Sequence, residues 1–128
     1  IYGEEMSART YAVAHERAAA LLASGKPVII DASYKRARQR EEALALARRL
    51  KVPLLFVECT CPDDIVRERL ERRVKDPLEA SDGRWEIYAA QKRDYDRQDG
   101  LPEESRLRVD TSLSPEACLQ QVIARLRS

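Results

Sequence analysis

The sequence predicts an α/β fold, a parallel sheet with helices on its faces. Two observations carry that reading. Short uninterrupted runs rich in β-branched or aliphatic residues, "PVIID", "LLFVEC" and "RLRVD", recur along the 128 residues. Between them lie segments of helical period long enough to cross from one parallel strand to the next. Parallel strands buried on both faces read as such continuous apolar runs rather than as alternations.

Taken in order, Tyr11, Ala14, Ala18, Leu21 and Leu22 repeat at helical spacing, and Ser24-Gly25 supplies a stop. "PVIID" (27–31) follows as a buried strand, too brief for a helix. A second helix is predicted from about Tyr34 to Lys51, with Ala43, Leu46, Ala47 and Leu50 on one side. Pro53 opens the strand "LLFVEC", and Pro62 starts a third helix whose first turn holds Asp63 and Asp64, at the positive end of its dipole. "KDPLEASDG" (75–83) reads as a loop, and a fourth helix runs from about Arg84 to Arg97. "GLPEES" is a turn, "RLRVD" (106–110) a strand, and Ser114-Pro115-Glu116 launches a last helix through Leu126. Three strands make a thin sheet for an all-parallel fold, so the sheet is expected to be incomplete.

Composition narrows the function classes. Apolar residues make up 44% and charged residues 35%, the balance of a soluble, globular, helix-rich chain of a single domain, residues 1–128. The net charge of +1 gives no overall field to draw in nucleic acid or membrane, so any basic site is local. Apolar runs such as "PLLFV" are far too short to span a bilayer, and no signal peptide is visible. Three cysteines, Cys59, Cys61 and Cys118, cannot all pair internally, and a reducing cytoplasm suits them. Cys59-Thr60-Cys61 invites a metal reading, but a single His15 and no second cysteine pair argue against it.

In open parallel sheets, ligands bind beyond the carboxyl ends of the strands. That rule selects Asp31 to Lys35, Glu58 to Pro62 and Asp110 to Ser114. Asp31 either caps the helix expected near Tyr34 or serves as a carboxylate that organises magnesium or accepts a proton in phosphoryl transfer. Ser33 reads best as a helix cap. Arg69 and Arg73 stand four apart and share a face beside the apolar stripe Val66, Leu70 and Val74. They form a solvated face paired with Glu68 and Glu71, or two guanidiniums aimed at phosphate oxygens. Arg36 and Arg40 read mostly as solvated helix surface, in the turns closest to Asp31.

The stretch from "TYAVAHERAAALLASGKPVIIDASYKRARQR" through "LLFVECTCPDDIVRERLERR", then "SDGRWEIYAAQKRDYD" and "LRVDTSLSPEACLQQVIARL", resembles the P-loop kinases. The likeness is to the bacterial predicted-kinase and AAA ATPase group related to polynucleotide kinase, zeta toxin and gluconate kinase. Its most specific parts are the strand ending in "DAS", the "R-L-x-x-R" of the third helix and "VDTS" after the last strand. The resemblance implies a three-layer α/β/α P-loop NTPase-like sheet and an ATP- and Mg2+-dependent kinase. The acceptor would be a hydroxyl of a small molecule, a nucleotide or a nucleic acid end. By the same resemblance Asp31 sits beside the γ-phosphate and the acceptor hydroxyl, and Mg2+ is held through it. Arg69 and Arg73 border a lid at about 68–97 and contact the base or phosphates. Asp110, Thr111 and Ser112 flank the adenine side, and Arg36 or Arg40 faces the acceptor phosphate or substrate.

One departure is large. The phosphate-cradling loop G-x-x-x-x-G-K-[ST] is absent: Gly25-Lys26 is followed by Pro27, and Ala20 stands where its first glycine belongs. That loop supplies the amides and lysine that hold the β- and γ-phosphates. The chain is therefore expected to be the C-terminal two-thirds of such a domain, weak or inactive alone. Its start at Ile1 and its thin sheet fit a missing N-terminal piece: the first strands, the loop and the first helix. Two alternatives remain. One is a non-catalytic interaction module on a kinase scaffold. The other is a phospho-accepting, receiver-like domain with Asp31 as acceptor, although such a domain needs further acids after its first strand and a lysine after its last.

Overall fold

The computed structural model describes residues 2–73, 81–97 and 100–128. Within it the fold is α/β with a small parallel sheet. The chain divides into two compact units, Ile1–Leu54 with Asp96–Leu101, and Leu55–Tyr95 with Pro102–Ser128.

The first unit is built on two helices, α1 (Tyr2–Ala23) and α2 (Ala37–Leu50), which pack on each other. Its buried set is Ala18, Tyr34, Ala43, Leu46, Ala47 and Leu101, with two polar members, Gln39 and Arg40. The end of α1 follows the sequence signal. Gly25 adopts φ +87°, its N–H donates to Leu22 O at 3.0 Å, and Lys26 N–H reaches back to Leu21 O at 3.1 Å. That pair of bonds satisfies carbonyls the last turn would otherwise leave open. α2 ends the same way without a glycine. Lys51 takes the left-handed conformation at φ 57°, and Val52 N–H bonds Ala47 O at 3.0 Å.

The second unit holds the sheet. Strands β1 (Phe56–Thr60) and β2 (Arg106–Asp110) pair in parallel, from Phe56 opposite Arg106 to Thr60 opposite Asp110. The crossover between them carries α3 (Asp63–Arg73) and α4 (Ser81–Arg93), which pack together. Lys92 Nζ meets Asp63 Oδ1 at 2.9 Å, and the Arg67 guanidinium lies 5.4 Å from the centre of the Trp85 ring. After a 3-10 turn at Glu103–Ser105, β2 leads to α5 (Pro115–Arg127), which packs on β2. Ser114 caps α5 by accepting the Ala117 N–H at 3.1 Å, with Pro115 in the first turn, where no amide is needed. Val109, 2% exposed, is the most buried apolar residue of this unit.

Several expectations change: β1 is Phe56–Thr60 rather than 54–59, and α4 ends at Arg93, short of Arg97. "PVIID" forms no strand: residues 27–31 join no ladder among the described residues, and Ile29 is 95% exposed. β-Branched residues favour strands only where a neighbouring strand takes up the backbone groups. α2 starts at Ala37 instead of near Tyr34. α4 starts at Ser81, so residues 81–83 are helical rather than loop, while the rest of that expected loop, and Val74, lie outside the described residues. No helix among the described residues is long and apolar enough to cross a membrane.

Candidate functional site

The residues singled out by the sequence fall in both units: Asp31, Arg36 and Arg40 in the first, Arg69, Arg73, Asp110, Thr111 and Ser112 in the second. Each group is described by itself.

In the second unit the carboxyl edge of the sheet is a tightly bonded loop. Thr111 donates both its N–H (2.7 Å) and its hydroxyl (2.9 Å) to Thr60 O, extending the β1–β2 pairing by one residue. Asp110 Oδ1 accepts the Ser112 hydroxyl at 2.7 Å and the Ser112 N–H at 2.9 Å, the local turn that a short acidic side chain makes with its own backbone. Those two bonds, the hydroxyl first, hold the Asp110 carboxyl below its ordinary range, and the Arg69 charge adds to them. Arg69 reaches this loop from α3. Its Nη2 donates to Thr111 O at 2.6 Å, and its Nη1 lies 3.7 Å from Cys61 Sγ. Arg69, Asp110, Thr111 and Ser112 thus converge at the end of the two strands. Arg73, one turn further along α3, is exposed and makes no hydrogen bond or ion pair among the described residues.

In the first unit Asp31 is exposed, and no described residue bonds its carboxylate. The capping readings of Asp31 and Ser33 are overturned, because the N-cap position of α2 is Arg36 and the acid there is Asp96. Asp96 Oδ2 accepts the Ala37 N–H at 2.9 Å, and its Oδ1 meets Arg36 Nη1 at 3.3 Å. The amide bond first, then the Arg36 partner, lowers the Asp96 carboxyl below its usual range.

Arg40 is not solvated surface. It is 2% exposed, and its guanidinium donates to four carbonyls: Tyr34 O (2.8 Å), Lys35 O (2.9 Å), Asp96 O (2.7 Å) and Arg97 O (3.0 Å). A planar fork with five donors suits such a cluster, and the charge is compensated by carbonyl dipoles on every side.

The neighbouring aromatic cluster is not foreshadowed in the sequence. Tyr34, with φ 44°, donates its N–H to Tyr11 Oη at 2.9 Å, and its own hydroxyl lies 2.9 Å from His15 Nε2. Tyr11 Oη is also 3.3 Å from Ser33 Oγ, and the Tyr11 and Tyr34 rings meet edge to face at 4.9 Å. Burial raises the Tyr34 phenol to about 12 and lowers the His15 imidazole, the Glu42 carboxylate offsetting part of the latter. The only signal available was the four-residue spacing of Tyr11 and His15, which puts them on one face of α1.

Among the described residues no three His, Cys, Asp or Glu side chains come together as a metal centre. A shallow depression of about 350 Å³ is lined by Glu58, Glu103, Arg106, Leu107, Arg108 and Arg125; of the stretches the strand-end rule selected it takes in Glu58 alone.

No curated protein matches the chain, and no solved structure matches it. A family model described as "AAA domain" matches residues 2–98, which takes in α1 to α4 and stops short of β2 and α5. With most of its length under that model, the chain belongs to the AAA domain family, a P-loop NTPase-like group of nucleotide-binding domains.

Proposed function

We propose that the chain is the acceptor and lid portion of an ATP-dependent kinase, which transfers the γ-phosphate to a hydroxyl of a small molecule or a nucleotide end. The observation that carries the reading is Arg69. Two of its N–H groups are directed to Thr111 O and Cys61 Sγ beside the Asp110–Ser112 loop, which orients the guanidinium and leaves three donors for phosphate or base acceptors. Arg73 extends the positive charge along the same face of α3.

Asp31, exposed and unbonded among the described residues, is suited to the other half of the reaction. Its carboxylate accepts the proton of the acceptor hydroxyl as that oxygen bonds to the γ-phosphorus and ADP departs with the bond it leaves. A single carboxylate with open surroundings also fits Mg2+, which keeps most of its waters and takes other ligands from substrate phosphates. When bound, the ion neutralises charge developing on the transferred group. These 128 residues contain no G-x-x-x-x-G-K-[ST], so the reading assigns the β,γ-phosphate cradle to residues outside them. Three free cysteines suit a cytoplasmic setting.

The test is calorimetric titration of ATP–Mg into these 128 residues and into a gene product that also carries a P-loop, with phosphate transfer measured in the latter. Weak binding by the shorter chain, tight binding by the longer one, and loss of transfer in Asp31→Asn with nucleotide binding kept are expected. Equal, tight binding by both refutes the division of labour. A second reading, a non-catalytic module on this scaffold, draws on Arg36 and Arg40, whose guanidiniums are engaged inside the fold. It predicts no transfer by either protein.

A further inference from the structure

Residues 28–32 make no hydrogen bond among the described residues, and although Val28 and Ile30 are half-buried, Ile29, Asp31 and Ala32 are exposed, so no ladder fixes the backbone around Asp31. The segment is held at its ends. On one side stands the closed terminus of α1 at Lys26. On the other stands Tyr34, whose N–H is taken by Tyr11, whose C=O is taken by Arg40 Nε and whose hydroxyl meets His15. Tyr34 also holds the left-handed conformation, costly for a residue with a β-carbon and kept only where its surroundings enforce it.

We propose that Tyr11 is a positioning residue for Asp31. Its hydroxyl, seated between the Tyr34 N–H and Ser33 Oγ, fixes the turn from which the Asp31 carboxylate projects. The inference rests on the reading of Asp31 as the group that meets the acceptor hydroxyl. Tyr11 Oη accepts from the Tyr34 amide and also shares a hydrogen bond with Ser33 Oγ, in which either hydroxyl can donate, and so ties the two residues following Ala32 to α1. Loss of that one oxygen removes the anchor of the Tyr34 amide and loosens the turn on its Ser33 side, while Arg40, His15 and the aromatic contact still hold Tyr34. A misplacement of the order of 1 Å at a reacting group costs about 10²-fold in rate.

Two measurements test this. The first, amide hydrogen exchange by NMR on these 128 residues, is independent of activity. In the wild type the Tyr34 amide is expected to be protected while those of Ile29 to Ala32 exchange freely, and Tyr11→Phe should speed exchange at Tyr34 at least about tenfold. Equal exchange across 29–34 in the wild type, or an unchanged Tyr34 amide in Tyr11→Phe, overturns the proposal. The second uses the P-loop-bearing gene product and follows phosphate release from ATP–Mg with water as acceptor. Tyr11→Phe should lower kcat by about tenfold or more with KM for ATP unchanged, the signature of a misplaced group rather than of weakened binding. If Asp31→Asn abolishes turnover and Tyr11→Phe does not lower kcat, the positioning role fails and the kinase reading stands. If Asp31→Asn has no effect, or the wild type does not turn over, the kinase reading fails and takes this inference with it.

Discussion

Replacing Arg40 by Met keeps most of the apolar stem and removes the guanidinium. Four carbonyls then lose a donor, but not equally. Lys35 O retains the Asp96 N–H at 2.9 Å, so it is not orphaned. Tyr34 O accepts from Arg40 Nε in a buried setting, and loss of that donor costs about 1–3 kcal/mol. Asp96 O and Arg97 O are half-buried, and water replaces part of what they lose, so each contributes about 0.5–1 kcal/mol. The expected destabilisation is about 3 kcal/mol, a large share of the roughly 5–15 kcal/mol that holds a domain of this kind together. In urea, with a slope of about 1–3 kcal/mol per molar, the midpoint should fall by about 1–3 M. Arg40→Lys supplies a point charge with three donors on a narrower stem and should recover less than half of the loss. A fall below about 1 kcal/mol at unchanged slope, or a lysine variant equal to wild type, would refute the view that Arg40 is a structural clamp. A phosphate-facing Arg40 would instead lose ligand affinity at constant stability.

Two further outcomes follow from local geometry. Lys51 carries a β-carbon in the left-handed position that closes α2, so Lys51→Gly should raise stability by about 1 kcal/mol in urea unfolding, and Lys51→Ala should not. His15 titrates below its ordinary value of about 6.5 because burial disfavours the imidazolium, with Tyr11 and Tyr34 packed on it and the Glu42 charge offsetting part of the effect. The unfolded chain therefore takes up the proton first as pH falls. Stability from this group is complete above about pH 6.5 and is lost as pH drops toward the lower folded value. Urea midpoints at about pH 7.5 and pH 5.5 should differ in the wild type and differ less in His15→Gln. An identical pH response in the two proteins would remove His15 as the cause.

What the sequence made legible was whatever is decided within a few residues. "RLRVD" became β2 at the expected bounds, Ser114-Pro115 opened α5, and Ser24-Gly25 closed α1, since caps and turns act on their own neighbours. The strand-end rule picked out the loop after β2 and the resemblance picked out Arg69, but the bond between them was not read from the sequence. What stayed hidden depends on partners distant in the chain. The burial of Arg40 needs carbonyls at Asp96 and Arg97, and nothing in "KRARQREE" separates a buried arginine from a solvated one. "PVIID" has the composition of a strand, but a strand is a pairing rather than a composition, and the described residues pair nothing with it. The end of α2 fell where expected, at Lys51, but its left-handed backbone carries no glycine signal in the sequence.

The exchange of roles between Asp31 and Asp96 changes the chemistry most. The amino end of α2 has unpaired amides and a positive dipole end, and an acid there is stabilising. From the sequence, Asp31 was the near candidate. Asp96 fills that position instead, bonded to the Ala37 amide and the Arg36 guanidinium, and its lowered pKa is the mark of a carboxylate committed to staying charged. Such a group is a poor proton acceptor, since the bonds that hold it are weakened when it is protonated. Had Asp31 been the cap, it would carry the same handicap. With Asp96, 65 residues further along the chain, in that role, Asp31 is left without a cation or amide partner among the described residues, as the proposed reading of it requires. Asp96→Asn is therefore the informative companion to Asp31→Asn. Loss of the charged cap should weaken α2 and the turn before it, and so lower turnover through the position of Asp31, whereas Asp31→Asn should lower turnover with α2 intact. Unfolding midpoints measured beside turnover separate the two, and equal stability loss in both variants would show that Asp31 too is a structural acid.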